Sequence, residues 1–232
     1  MFNSFDSYER NARVYPAIII SIPIIITCYS FSVLIDSSVF LRITGSSAIV
    51  LVGIVLLSSV VRFFGKKIEL DIWKKWGGAA STRYLRENDT KIAKEIKQKF
   101  YKKIMAETKI DLQNNLTDEK INQAFTFARH SLGNINKNSL VVKFNYEYGF
   151  VRNLLGSRWL WVIISFIASV ICYFSIRYFP GDTISLVIGT IFNGCYGLVA
   201  IVCGWFILPG LTKGIAERYA EEVIFSYISN LN

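Results

Sequence analysis

Residues 14–35 read VYPAIIISIPIIITCYSFSVLI and carry no charged side chain before Asp36. A hydrocarbon core takes roughly 20 predominantly apolar residues in helical form, and this run is long enough to cross one. Three more runs share its character: 46–64, 159–179 and 183–211. Only two hold Arg: Arg62 and Arg177 each lie within a turn of an end, where a long side chain snorkels to the interface. Run 14–35 is too long for a signal peptide, and no small-residue cleavage site follows it. The chain is 52% hydrophobic, 15% aromatic and 19% charged, with the apolar excess in blocks, which sets it apart from ordinary soluble domains.

The basic residues give these spans a direction. Residues 66–158 hold 19 Lys and Arg against 10 Asp and Glu, an excess of nine that equals the formal net charge of the whole chain, +9. Arg10, Arg13, Lys213 and Arg218 flank the outermost spans, and the two short loops on the opposite side have only Arg42 and Arg177. Positive residues stay cytoplasmic. The expected fold is an all-α integral membrane protein, with two transmembrane helical hairpins flanking a basic helical cytoplasmic domain and both termini inside. Residues 1–65 make the N-terminal segment and first hairpin, 66–158 the basic domain, and 159–232 the second hairpin and a C-terminal tail. Cys28, Cys172, Cys195 and Cys203 all fall in spans without metal-ligand spacing and read as packing residues.

Within 66–158, Ile92, Ile96, Phe100 and Ile104 recur every four residues among lysines, predicting an amphipathic helix over 91–108. Thr117 as N-cap, Asp118 and Glu119 in a first turn, and Gly133 at the end predict a second. A third is predicted over 145–155, and SLVVK at 139–143 looks strand-like but is too short to force a sheet.

Two basic, aromatic stretches flank this domain. In WKKWGGAASTRYLRE, residues 73–87, Gly77 and Gly78 end the helix that continues the second span, and Ser81 or Thr82 is placed to cap the next short one. Trp76, Arg83 and Arg86, with Lys94 and Lys97 of the following helix and Arg152 of the second stretch (NYEYGFVRNLLGSRWLW, residues 145–161), are the candidate ligand-binding residues. Guanidinium groups bind phosphate bidentately, and Trp73, Trp76 and Tyr84 offer base stacking. Gly77 and Gly78 are the candidate gating hinge. The competing reading is interfacial anchoring, since Trp and Lys just outside a span form an ordinary belt. The stretch has neither P-loop nor dinucleotide spacing.

In the fourth span Gly189, Asn193, Gly197, Ala200 and Gly204 form a stripe of small and polar residues, suited to close helix packing or, in an oligomer, to lining a pore. Pro23 frees a backbone carbonyl in the first span. No Asp, Glu, Lys or His lies at mid-span, which argues against a coupled transporter. Four helices enclose a hydrated path poorly, so conduction requires a homo-oligomer. His130, next to Arg129, has no nucleophile or metal motif around it, and neither catalysis nor a metal or cofactor is expected.

Lys75, Trp76, Gly77, Gly78, Thr82, Arg83, Leu85 and Arg86, then Tyr148, Gly149, Phe150, Arg152, Asn153 and Leu154, resemble two motifs of a family of small bacterial four-span membrane proteins, K-W-G-G-x-P-T-T-R-x-L-R and Y-G-F-x-R-N-L. Ala80 and Ser81 depart from its Pro and first Thr. The architecture is similar to that of anti-phage defence membrane effectors such as the channel subunit of the Hailong system. That resemblance implies a tetrameric inner-membrane ion channel whose cytoplasmic domain binds a nucleotide or single-stranded DNA oligomer made by a partner nucleotidyltransferase. The competing expectation is a non-conducting, membrane-anchored module that recruits nucleic acid or a protein partner, its basic helix resting on anionic lipid.

Overall fold

The computed structural model describes residues 7–32, 47–113, 116–133, 140–179 and 183–229. Most of these residues are helical, and there is no strand among them. The helices are α1 (Arg10–Ser32), α2 (Ser47–Lys75), α3 (Ala80–Tyr84), α4 (Lys94–Thr108), α5 (Asp118–Gly133), α6 (Leu140–Gly156), α7 (Arg158–Ser175) and α8 (Ile184–Ser229). Among the described residues α1, α7 and α8 are long and apolar enough to cross a membrane. The expected second span is helical from Ser47 on as part of α2, while Ser46, residues 33–35 of the first span and the loop holding Arg42 lie outside the described residues.

Three expectations need correction. SLVVK is helical from Leu140, because Val141, Phe144, Tyr148, Val151 and Leu155 continue one three-and-four spacing; burial of that stripe overrides the β-preference of two valines. α4 starts at Lys94 rather than Lys91, since the Asp89 carboxylate accepts the Lys91 N–H at 2.8 Å and Ala93 is extended. The supposed C-terminal tail is the continuation of α8, which at 1.5 Å per residue is about 69 Å long against a hydrocarbon core of about 30 Å.

Prolines explain the irregular turns. Arg10–Val14 and Cys203–Ile207 are π-helical, closed by Tyr15 N–H on the Arg10 carbonyl and Leu208 N–H on the Cys203 carbonyl. Each ends two residues before a proline, Pro16 or Pro209. A proline ring has no N–H for the carbonyl four residues back and collides with it, and one wider turn relieves both problems.

The chain divides into two compact units: Met1–Lys67 with Gly149–Leu211, and Ile68–Tyr148 with Thr212–Asn232. In the first, α1, α7 and the apolar part of α8 pack together, burying Ala17, Ile20, Ala168, Leu186 and Ala200. Their other faces expose Ile24, Ile25, Ile167, Phe174, Ile188 and Phe206. In the second, α3, α4, α5 and the end of α8 surround Tyr84, Leu85, Phe100, Ile104, Ile121, Val223 and Ile224.

Candidate functional site

The turn after α2 is built by its glycines. Gly78 N–H reaches the Trp73 carbonyl at 2.8 Å and Gly77 N–H the Lys74 carbonyl at 3.2 Å, the paired bonds that terminate a helix on glycine. Gly77 has φ +79° and Gly78 φ +124°, conformations that side chains with a Cβ adopt only under strain. Neither Ser81 nor Thr82 caps α3: its N-cap is Ala79, and the Thr82 hydroxyl is buried against the Asn122 side chain.

Two arginines grip this turn. Arg83 donates Nη1 to the Trp76 carbonyl at 3.1 Å and Nη2 to Glu217 at 2.7 Å. Arg86 donates Nη1 to the Gly77 carbonyl at 2.9 Å and holds both Asp118 oxygens, Nε at 2.9 Å and Nη2 at 2.7 Å. The hydrogen bond from Arg86 holds the Asp118 carboxyl below its usual range, and Asp118 in turn raises Arg86. Arg83 on α3 therefore ties the end of α2 to α8, and Arg86, just past α3, ties it to α5; each already has a carboxylate partner.

Lys97 is also engaged. Its side chain is 4% exposed, and Nζ donates to the carbonyls of Arg86 and Asp89, both at 2.5 Å. Burial pushes its pKa down, opposed by Asp89 and Glu87. It floors a 730 Å³ cleft lined by Lys94, Gln98, Gln113 and the two carboxylates Glu87 and Asp89, so the lining charges cancel. Lys94, at the rim, is exposed. Trp76 is half-buried against the core, Trp73 donates to the Tyr148 hydroxyl at 3.2 Å, and Tyr84 is buried, its hydroxyl pushed up to about 12 by burial and by Glu217. Tyr84 therefore presents no face for base stacking.

Arg152 belongs to the other unit. It is 4% exposed, and its Nη2 donates to Asn153 Oδ1 at 3.0 Å. Asn153 Nδ2 in turn donates to the Ala12 carbonyl at 2.6 Å, the acceptor that Pro16 leaves without an α-helical partner. Pro23 is matched in the same way: the Ile19 carbonyl accepts the Tyr196 hydroxyl at 2.9 Å. The stripe of α8 faces inward. Gly189 abuts Ser30 and Cys172, Gly197 abuts Phe166 and Ser165, Gly204 abuts Arg158, and Ala200 is fully buried. Asn193, fully buried, donates to the Thr27 hydroxyl at 3.0 Å.

The sequence reading paired Arg83 and Arg86 but missed their partners Asp118 and Glu217, since carboxylates 32 and 134 residues away leave no local trace. Pro16 was the overlooked signal for Asn153. No protein-family model, curated protein or solved structure matches this chain.

Proposed function

We propose that this protein is the subunit of a homo-oligomeric, tetrameric ion channel of a bacterial inner membrane, acting in anti-phage defence. Its basic unit would lie in the cytoplasm with both termini, and a nucleotide or single-stranded DNA oligomer bound there would control conduction. The observation that carries the reading is that α2, α6 and α8 each contribute residues to both compact units. Ligand binding in the basic unit would act on the apolar unit through these three shared helices. A phosphate would meet Lys94, Lys99 and Lys102, all exposed, and would compete with Asp118 for Arg86. Because the α8 stripe is taken up by packing within one chain, a conducting path would be lined by outward faces of several copies.

A second reading has its own support. The outward faces of α1, α7 and the apolar part of α8 are nearly all apolar, as lipid requires, which suits a non-conducting anchor for a nucleic-acid-binding unit. Reconstituting the full chain in liposomes loaded with an ion reporter, with and without short single-stranded DNA, separates the two. Flux that responds to DNA, and ceases to respond in a Lys94→Ala, Lys99→Ala, Lys102→Ala variant, is the expected result. A monomer that binds DNA without flux establishes the anchor, and absence of DNA binding at low salt removes the DNA-gated channel and the nucleic-acid anchor.

A further inference from the structure

We propose that the π-helical turn Arg10–Val14 holds the phosphate group of an anionic phospholipid. The turn follows the helical residues Ser7–Glu9 directly and begins the 23-residue candidate span, so its side chains stand at the start of that span. Ala12 and Val14 are buried toward the unit's interior, whereas Arg10 and Arg13 are half-buried. Both arginine Nε atoms are shielded from solvent and have no hydrogen-bond acceptor among the described residues. The shielded Nε atoms leave these guanidinium groups short of acceptors, and the two Nη groups at the end of a guanidinium match two oxygens of one phosphate.

Local charge favours an anion. Glu9 takes one bond, from Arg13 Nη1 at 2.6 Å, leaving Arg10 uncompensated in this turn. Arg152 adds a further positive charge, linked to the turn through Asn153 and the Ala12 carbonyl. The wide turn is itself fixed by Pro16, so the placement of both arginines is built into the backbone. Where an apolar helix meets the membrane surface, the abundant anionic group is a lipid phosphate. This inference goes beyond the channel reading and requires only that α1 enter a bilayer.

The test is native mass spectrometry of the full chain in detergent, titrated with phosphatidylglycerol or phosphatidylcholine. The wild type is expected to retain phosphatidylglycerol preferentially, and Arg10→Gln with Arg13→Gln to lose about fivefold per arginine. Arg10→Lys with Arg13→Lys keeps charge but lacks the planar two-pronged guanidinium and should recover only part of the preference. Arg129→Gln with Arg218→Gln, which removes two exposed charges elsewhere, should leave it intact. Equal retention of both lipids by the wild type, or an unchanged preference in the Gln or Lys variant, overturns the proposal. Complete competition by soluble glycerol phosphate assigns the site to free phosphate and overturns the lipid assignment. Thermal unfolding of each variant distinguishes a folded protein that has lost lipid from one that has lost its structure.

Discussion

The two units differ in whether ion pairs share the work of satisfying polar groups. In the apolar unit the long-range polar contacts are mostly neutral and run from a side chain to a backbone carbonyl: Asn153 to Ala12, Tyr196 to Ile19, Ser185 to Ser30 and Ser169 to Thr190. The charged unit adds ion pairs that are partly solvated, Arg83 with Glu217 and Arg86 with Asp118, beside neutral contacts such as Thr82 to Asn122 and Trp73 to Tyr148. The difference follows from the surroundings. An orphan carbonyl in an apolar bundle has no water to turn to, so a neighbouring helix must supply a donor. A solvated ion pair can afford to be weak, and thereby exchangeable.

The largest expected effect breaks the apolar unit where two backbones meet closely. A Cβ at Gly156 would stand 2.6 Å from backbone atoms of Gly65, and neither backbone can yield cheaply. Gly156→Val should cost about 3 kcal/mol or more in detergent unfolding. Gly53, which has nothing within 4 Å, should accept Ala with a change under about 1 kcal/mol. Equal melting of the two variants would refute the close crossing.

Next comes Asn153→Leu, which strands the Ala12 carbonyl and should cost about 2–3 kcal/mol. In a Pro16→Ala background the chain regains an N–H for that carbonyl, so the same substitution should cost about 1 kcal/mol less. Additive losses would show that Asn153 does not answer the proline.

In the charged unit, Arg83→Gln should cost more than Arg86→Gln, about 2 against about 1 kcal/mol. The Arg83–Glu217 pair is 20% and 24% exposed, against 33% and 56% for Arg86–Asp118. Repeating both melts at about 1 M salt should shrink the Arg86 difference more. The smallest effect is in pH. Arg86 depresses the Asp118 pKa, so this contribution is present above the unfolded value, about 3.9, and is lost as pH falls through the lower folded value. With Asp118 so exposed, it should amount to less than about 1 kcal/mol, and Asp118→Asn should remove that acid dependence.

Much of this was legible along the chain. The spacing of Ile92, Ile96, Phe100 and Ile104 marked α4, and Gly77 and Gly78 marked the end of α2. The Thr117 hydroxyl accepts the Lys120 N–H at 3.3 Å, as an N-cap should. Local signals failed where a distant partner decided the outcome. Leu140–Lys143 carries the β-branched pattern of a strand but joins a helix whose stripe is buried. Arg83 and Arg86 have the chemistry of phosphate ligands, yet their bonds go to Glu217, Asp118 and the carbonyls of Trp76 and Gly77.

Composition and periodicity alone determined that this chain is helical and holds runs apolar enough to cross a membrane, because helix period and hydrocarbon thickness are local constraints that each segment meets by itself. Tertiary structure decided the rest: which carboxylate neutralises which arginine, which donor answers Pro16 and Pro23, and that the α8 stripe turns inward. Each of those depends on a partner far away in sequence, and only the packing of helices brings such partners within hydrogen-bond distance.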